Sequence, residues 1–165
     1  MRHVYVSIEE TAQLVKWFRD FTEIDPNDLE KDHPLFLYNQ EYEAWWMNVS
    51  HKNPNDLDSI SNRIIDFLAF IKGVHIFQRQ IKDRIKQAFT RDLKNKQSCY
   101  GVFFEIRILT HLHILGCENI NYRDNKINGK NPDIMYTNKK LKRIFIECTR
   151  KHARPERYSS DRLLI

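Results

Sequence analysis

Three acidic residues stand at positions where carboxylates can converge on one hard cation: Glu105, Asp133 and Glu147. Glu105 follows Gly101-Val102-Phe103-Phe104 in a segment with helical apolar spacing. Asp133 comes directly after Pro132 and before the apolar step Ile134-Met135. Glu147 closes the apolar run Ile144-Phe145-Ile146. Carboxylate oxygens are hard ligands suited to Mg²⁺ or Mn²⁺, and Mg²⁺ commonly takes one or two of them, completing its shell with water and phosphate oxygens. Period two in a strand places Phe145, Glu147, Thr149 and Lys151 on one face and Ile144, Ile146 and Cys148 on the other. An unpaired carboxylate buried on such a strand is costly, so Glu147 is expected to need a cation or strong donors. Each acid also has a plainer use. Glu147 can pair with Arg143 or Arg150, Asp133 can make an Asx-turn, and Glu105 can be a helix-surface acid with an i,i+4 partner.

The elements that must position these groups are legible from periodicity. Ser7 with Glu10 predicts a capping box for a helix carrying Ala12, Val15, Phe18 and Phe21, ending by Asp25-Pro26. Residues 2–6 are expected to be extended. The stretch from Glu41 to Asn48 reads as helix, with Trp45-Trp46 as packing anchors. Asp56 or Asp58 can cap the next helical pattern, which runs from Leu57 through Phe89 with Gly73 as a candidate kink. Lys94 to Ser98 reads as a linker. A helix then runs from Ser98 or Tyr100 to Leu115 and stops at Gly116. Ile120–Tyr122, Ile134–Tyr136 and Leu141–Thr149 read as strands, with a tight turn at Asn128-Gly129 and a hairpin connection at Thr137–Lys140. Two regions follow: a helical one over 1–96 and an α/β one over 97–165.

The segment Gly101–Lys151 resembles the PD-(D/E)xK nuclease superfamily, which has the restriction-endonuclease-like fold. The resemblance rests on Glu105 in the leading helix, on Pro132-Asp133, and on Glu147-Cys148-Thr149 in the place of the (D/E)xK element. It implies an α+β chain: a helical N-terminal region, then a restriction-endonuclease-like α/β core of a helix and a small mixed sheet, open to being incomplete at its C-terminus. It also implies metal-dependent hydrolysis of phosphodiester bonds, with Asp133 and Glu147 binding Mg²⁺ or Mn²⁺ and Glu105 adding a ligand directly or through water. Thr149 stands where the family usually has lysine, and a threonine carries no positive charge. Lys151, on the same strand face, is the candidate replacement. The alternative is a catalytically inactive nuclease-like fold that serves as a nucleic-acid-binding or protein-assembly module.

Charge and composition fit this reading. The net charge is +5, and residues 97–165 hold 13 Lys+Arg against 7 Asp+Glu. Lys139, Lys140, Lys142, Arg143 and Arg150 are candidates to hold a phosphate backbone, DNA ahead of RNA. Residues 1–96 carry 14 Lys+Arg against 15 Asp+Glu, which favours a protein contact, including a homodimer or a longer parent chain. Cys99, Cys117 and Cys148 are too widely spaced for a zinc ribbon, and their odd number argues against a disulfide framework. His111 and His113 are two apart, so they diverge on a helix and form no metal pair. No apolar run spans a bilayer and no signal sequence is evident, so the expected location is cytoplasmic, without membrane contact. No Gly-rich phosphate loop or G-x-S-x-G motif is present, which disfavours an NTPase or an α/β-hydrolase.

Overall fold

A computed structural model describes residues 8–52, 60–123 and 133–148. Its helices are α1 (Ile8–Thr22), α2 (Pro34–Lys52), α3 (Asn62–Gln80), α4 (Lys86–Lys94) and α5 (Lys96–Ile114). A single wide π turn, Ile81–Ile85, joins α3 to α4. The strands are β1 (Glu118–Tyr122), β2 (Ile134–Thr137) and β3 (Arg143–Ile146). The protein is therefore mixed α+β and mostly helical, with one small sheet.

Local chemistry explains where the helices begin and end. Pro34 fits the first turn of α2, where its missing N–H costs nothing. The His33 ring caps that turn, its Nδ1 accepting from Leu35 N–H at 3.1 Å. This cap lets α2 start well before the expected Glu41. The α3 cap is Ser61, whose hydroxyl accepts from Ile64 N–H; the candidate caps Asp56 and Asp58 lie outside the described residues. Asn95 takes the place of the expected linker. Its side chain accepts from Gln97 and Ser98 N–H, so α5 starts two residues after α4 stops. Gly116, at φ +73°, ends α5 as expected: Cys117 N–H returns to Leu112 carbonyl and Gly116 N–H to His113 carbonyl.

Gly73 is not a kink. It sits inside α3 at a close approach to α5, where a β-carbon would come within 2.6 Å of Ile106 Cγ2 and 2.5 Å of Thr110 Oγ1. The break in the long helical pattern falls instead at the π turn, where Ile85 departs from helical geometry.

The sheet has the order β1-β2-β3 and is antiparallel throughout. That corrects the expected mixed sheet. Parallel pairing needs a long crossover, and β2 and β3 are joined by a turn at 138–142. Asn138 stabilises that turn by accepting from both Lys140 and Lys142 N–H. Tyr122 pairs with Ile134, and Ile134 with Ile146, so these three share the face turned to the helices. Tyr122 and Ile134 are buried there with Phe67, Ile71, Phe89, Leu93, Ile106 and Leu109 in one core. This core draws on both sides of the 96/97 boundary. The outer edge of β1 is tied down by Gln80, whose amide donates to Ile120 carbonyl and accepts from Tyr122 N–H, both at 2.9 Å. Among the described residues no helix is long and apolar enough to cross a membrane.

Candidate functional site

Glu105 points from the middle of α5 into the junction between that helix and β1, and only 6% of it is exposed. A carboxylate so placed must be satisfied from the protein. Tyr122 hydroxyl donates to Oε2 at 2.5 Å. Arg123 grips both oxygens, with Nε to Oε2 at 2.9 Å and Nη2 to Oε1 at 3.0 Å. The remaining guanidinium nitrogen, Nη1, donates to Asp92 of α4 at 2.8 Å. Arg123 thus links α4, α5 and β1. It does so from a left-handed backbone, φ +50°, which is uncommon for a non-glycine residue and is held here by the surrounding bonds.

Asp133 enters from the start of β2. Its carbonyl accepts from Arg123 N–H at 2.8 Å, which fixes the chain on either side of the 124–132 segment. Its carboxylate Oδ2 accepts from Cys148 N–H at 2.6 Å, just beyond β3. The first two acids are close enough to interact. Burial pushes the Glu105 carboxyl up, the Arg123 guanidinium and the Tyr122 hydroxyl pull it down, and the Asp133 charge adds to the rise. Burial also raises the Tyr122 hydroxyl well above its ordinary value, with Glu105 as the next cause. The Cys148 thiol is pushed up to about 11 by burial and then by Asp133, so it is a poor nucleophile.

Glu147 differs from its expected setting. The expected alternation is present, with Arg143, Phe145 and Glu147 exposed and Ile144, Ile146 and Cys148 half-buried. The face carrying Glu147 is the open one, so its carboxylate meets water and bears no burial cost. The structure brings Glu105 and Asp133 within electrostatic reach of each other and sets the Cys148 amide against Asp133, with the Glu147 side chain on the solvent side. Thr149, Arg150 and Lys151 lie outside the described residues. Lys139, Lys140, Lys142 and Arg143 are exposed, but they occupy the turn end of the hairpin. At the rise of a strand that end is roughly 15–20 Å from Asp133.

Among the described residues no group of three His, Cys, Asp or Glu side chains is arranged to hold a metal ion. Asp133 and Glu147 still offer the hard oxygen donors that a two-carboxylate Mg²⁺ site uses. Glu105 is in a different position, because Arg123 and Tyr122 already occupy its oxygens. Asp92, Tyr122 and Arg123 were not singled out by the sequence patterns. The one available signal was a charged residue, Arg123, immediately after the strand-like Ile120–Tyr122.

The chain matches no family model, no curated protein and no solved structure.

Proposed function

We propose that this protein is a metal-dependent, nuclease-like phosphodiesterase with its site at the Asp133–Glu147 end of the hairpin. The observation that carries the reading is the bond from Cys148 N–H to Asp133 Oδ2. It sets Asp133 against the backbone that follows Glu147, with the Asp133 charge felt at Glu105 on α5. The order helix, strand, strand, strand also agrees with the restriction-endonuclease-like resemblance. Asp133 and Glu147 would hold Mg²⁺ or Mn²⁺. When bound, such an ion polarises a phosphate oxygen and lowers the pKa of water.

The protein's own groups have separate tasks in this reading. Asp133 is oriented by the Cys148 amide, so its free oxygen is presented with little entropy left to lose. Glu105, locked by Arg123 and Tyr122, supports the site from behind rather than from its front. In this reading Lys151 is the candidate to supply the positive charge that Thr149 lacks. Lys139, Lys140, Lys142 and Arg143 hold the nucleic-acid backbone farther along.

A second reading has its own support. Because Arg123 and Tyr122 saturate Glu105, the site has one carboxylate fewer to offer a cation. That favours an inactive nuclease-like module that binds nucleic acid or assembles with protein. Cleavage of DNA and RNA in Mn²⁺ or Mg²⁺ separates the two. The nuclease reading expects activity abolished by EDTA and cut on the order of a hundredfold or more by Asp133→Ala, with a further loss on Lys151→Ala. No cleavage with salt-sensitive binding retained would select the inactive module.

A further inference from the structure

The face of α4 turned away from Asp92 forms one wall of a groove of about 560 Å³, lined by Lys86, Gln87, Thr90, Arg91, Lys94 and, from the end of α1, Glu23. Lys86, Thr90 and Lys94 recur every fourth residue, so they line up along roughly 12 Å of helix. A solvated basic helix face usually carries acids three or four residues away that neutralise it. In α4 the sole acid is Asp92. Its tighter partner is Arg123 at 2.8 Å, and it stands 4.0 Å from Arg91. Glu23 faces Lys86 at 3.8 Å and is largely exposed, so it neutralises little. The groove keeps an excess of positive charge.

A second, independent feature adjoins it. Phe21 and Trp17 on α1 stack with ring centroids 5.0 Å apart and planes 14° from parallel. Both are half-buried. The Lys86 ammonium lies 5.6 Å from the Phe21 ring, so the aromatic step begins at the Lys86 end of the groove. A basic channel that follows a backbone, beside an aromatic surface that accepts a base face, is the chemistry of single-strand recognition. A duplex hides its base faces and would leave the aromatic step unused.

We propose that the α4–α1 groove binds single-stranded nucleic acid, with Arg91 and Lys94 on phosphates and with Lys86 swinging from the Phe21 ring onto a phosphate, so that a base stacks on the ring face its ammonium covers in the free protein. This site is separate from the acid cluster and stands whether or not the chain cleaves. The test is the affinity of the full chain for a fluorescent oligo-dT strand in EDTA, over a series of salt concentrations. The variant Lys86→Gln/Arg91→Gln/Lys94→Gln is expected to bind at least tenfold more weakly at low salt. Losing three single-strand phosphate contacts should reduce the slope of log K against log salt by about 2. Phe21→Leu should weaken binding several-fold and leave the slope unchanged. A matched loss of charge elsewhere, Lys31→Gln/Arg63→Gln/Arg107→Gln, should have a much smaller effect. Circular dichroism confirms that each variant is folded, and all these positions except Phe21 are at or near the surface. An equal loss from the two triple variants would overturn the proposal, because binding would then follow net charge alone. Duplex binding as tight as single-strand binding, with Phe21→Leu neutral, would overturn the single-strand assignment. Cleavage that persists in the α4 variant while oligo-dT binding is unchanged would overturn the groove and leave the nuclease reading standing.

Discussion

Removing Arg123 should reveal how much of the fold depends on the buried acid. In Arg123→Met the Glu105 carboxylate keeps its bond from Tyr122 but loses its only guanidinium, and it remains 6% exposed. Asp92 loses its 2.8 Å partner as well. Breaking a buried pair by deleting one member costs about 3–5 kcal/mol, because the surviving charge has no compensation. For a chain of this size each kcal/mol moves Tm by about 2–4 °C, so the midpoint should drop by roughly 6–20 °C. Urea unfolding followed by far-UV circular dichroism measures the loss directly. The pH dependence gives an independent check. With Arg123 in place burial already holds the Glu105 carboxyl above its ordinary value; without the guanidinium only the Tyr122 hydroxyl opposes burial and the Asp133 charge, so the folded-state pKa rises further. A group raised in this way favours the folded state below its unfolded pKa and loses that contribution as pH rises through the folded value. The gap between wild type and Arg123→Met should therefore be widest at neutral pH and narrow toward pH 5. Adding Glu105→Gln to Arg123→Met should recover part of the loss at pH 7, since the stranded charge is gone. A loss below about 1 kcal/mol, the range of an exposed pair, would refute the argument that this network ties α4, α5 and β1 together.

Two further outcomes follow from packing and from titration. Gly73→Ala gains about 0.8–1.0 kcal/mol of helix propensity. It also forces a methyl group against Ile106 and Thr110, an overpacking cost of about 1–3 kcal/mol, so a net loss of about 1 kcal/mol is expected in urea unfolding, and a gain would mean that α3 and α5 do not approach as closely as described. His33 is 2% exposed, accepts from Leu35 N–H, and has its other ring nitrogen 3.1 Å from Lys94 carbonyl, so it must be neutral, and burial holds its pKa below the ordinary value. Its contribution is constant above about pH 6.5 and is lost on acidification, as the unfolded chain takes up a proton that the native ring refuses, with a limiting slope of about 1.4 kcal/mol per pH unit; His33→Asn should flatten the stability profile between pH 6.5 and 5, and an unchanged profile would refute the assignment.

What the sequence allowed one to read followed from how local each cause was. Apolar spacing predicts α1, α5 and the long run that divides into α3 and α4, and Gly116 marks the end of α5, because each depends on residues within a turn or two. The start of α2 is not legible in the sequence because its cap is a histidine ring, which is no usual cap signal, and the second nitrogen of that ring lies 3.1 Å from the carbonyl of Lys94, 61 residues away. Gly73 is ambiguous for a related reason. A glycine in a helical pattern can mean a kink or a close neighbour, and only the position of Ile106 and Thr110 decides which.

The candidate site divides along the same line. Glu105, Asp133 and Glu147 were readable as acids in apolar settings, since sequence shows the mismatch of type and context. Their partners are not readable, because Asp92 and Arg123 are ordinary surface residues by type and become half-buried partners only when β1 reaches α4. The left-handed backbone at Arg123 made this harder still, as left-handed positions are usually signalled by glycine or asparagine. An arginine there bears a conformational cost that its three contacts must offset. That cost, borne next to the acid after Pro132, gives a physical reason to look for function at this junction rather than at the exposed lysines of the hairpin turn.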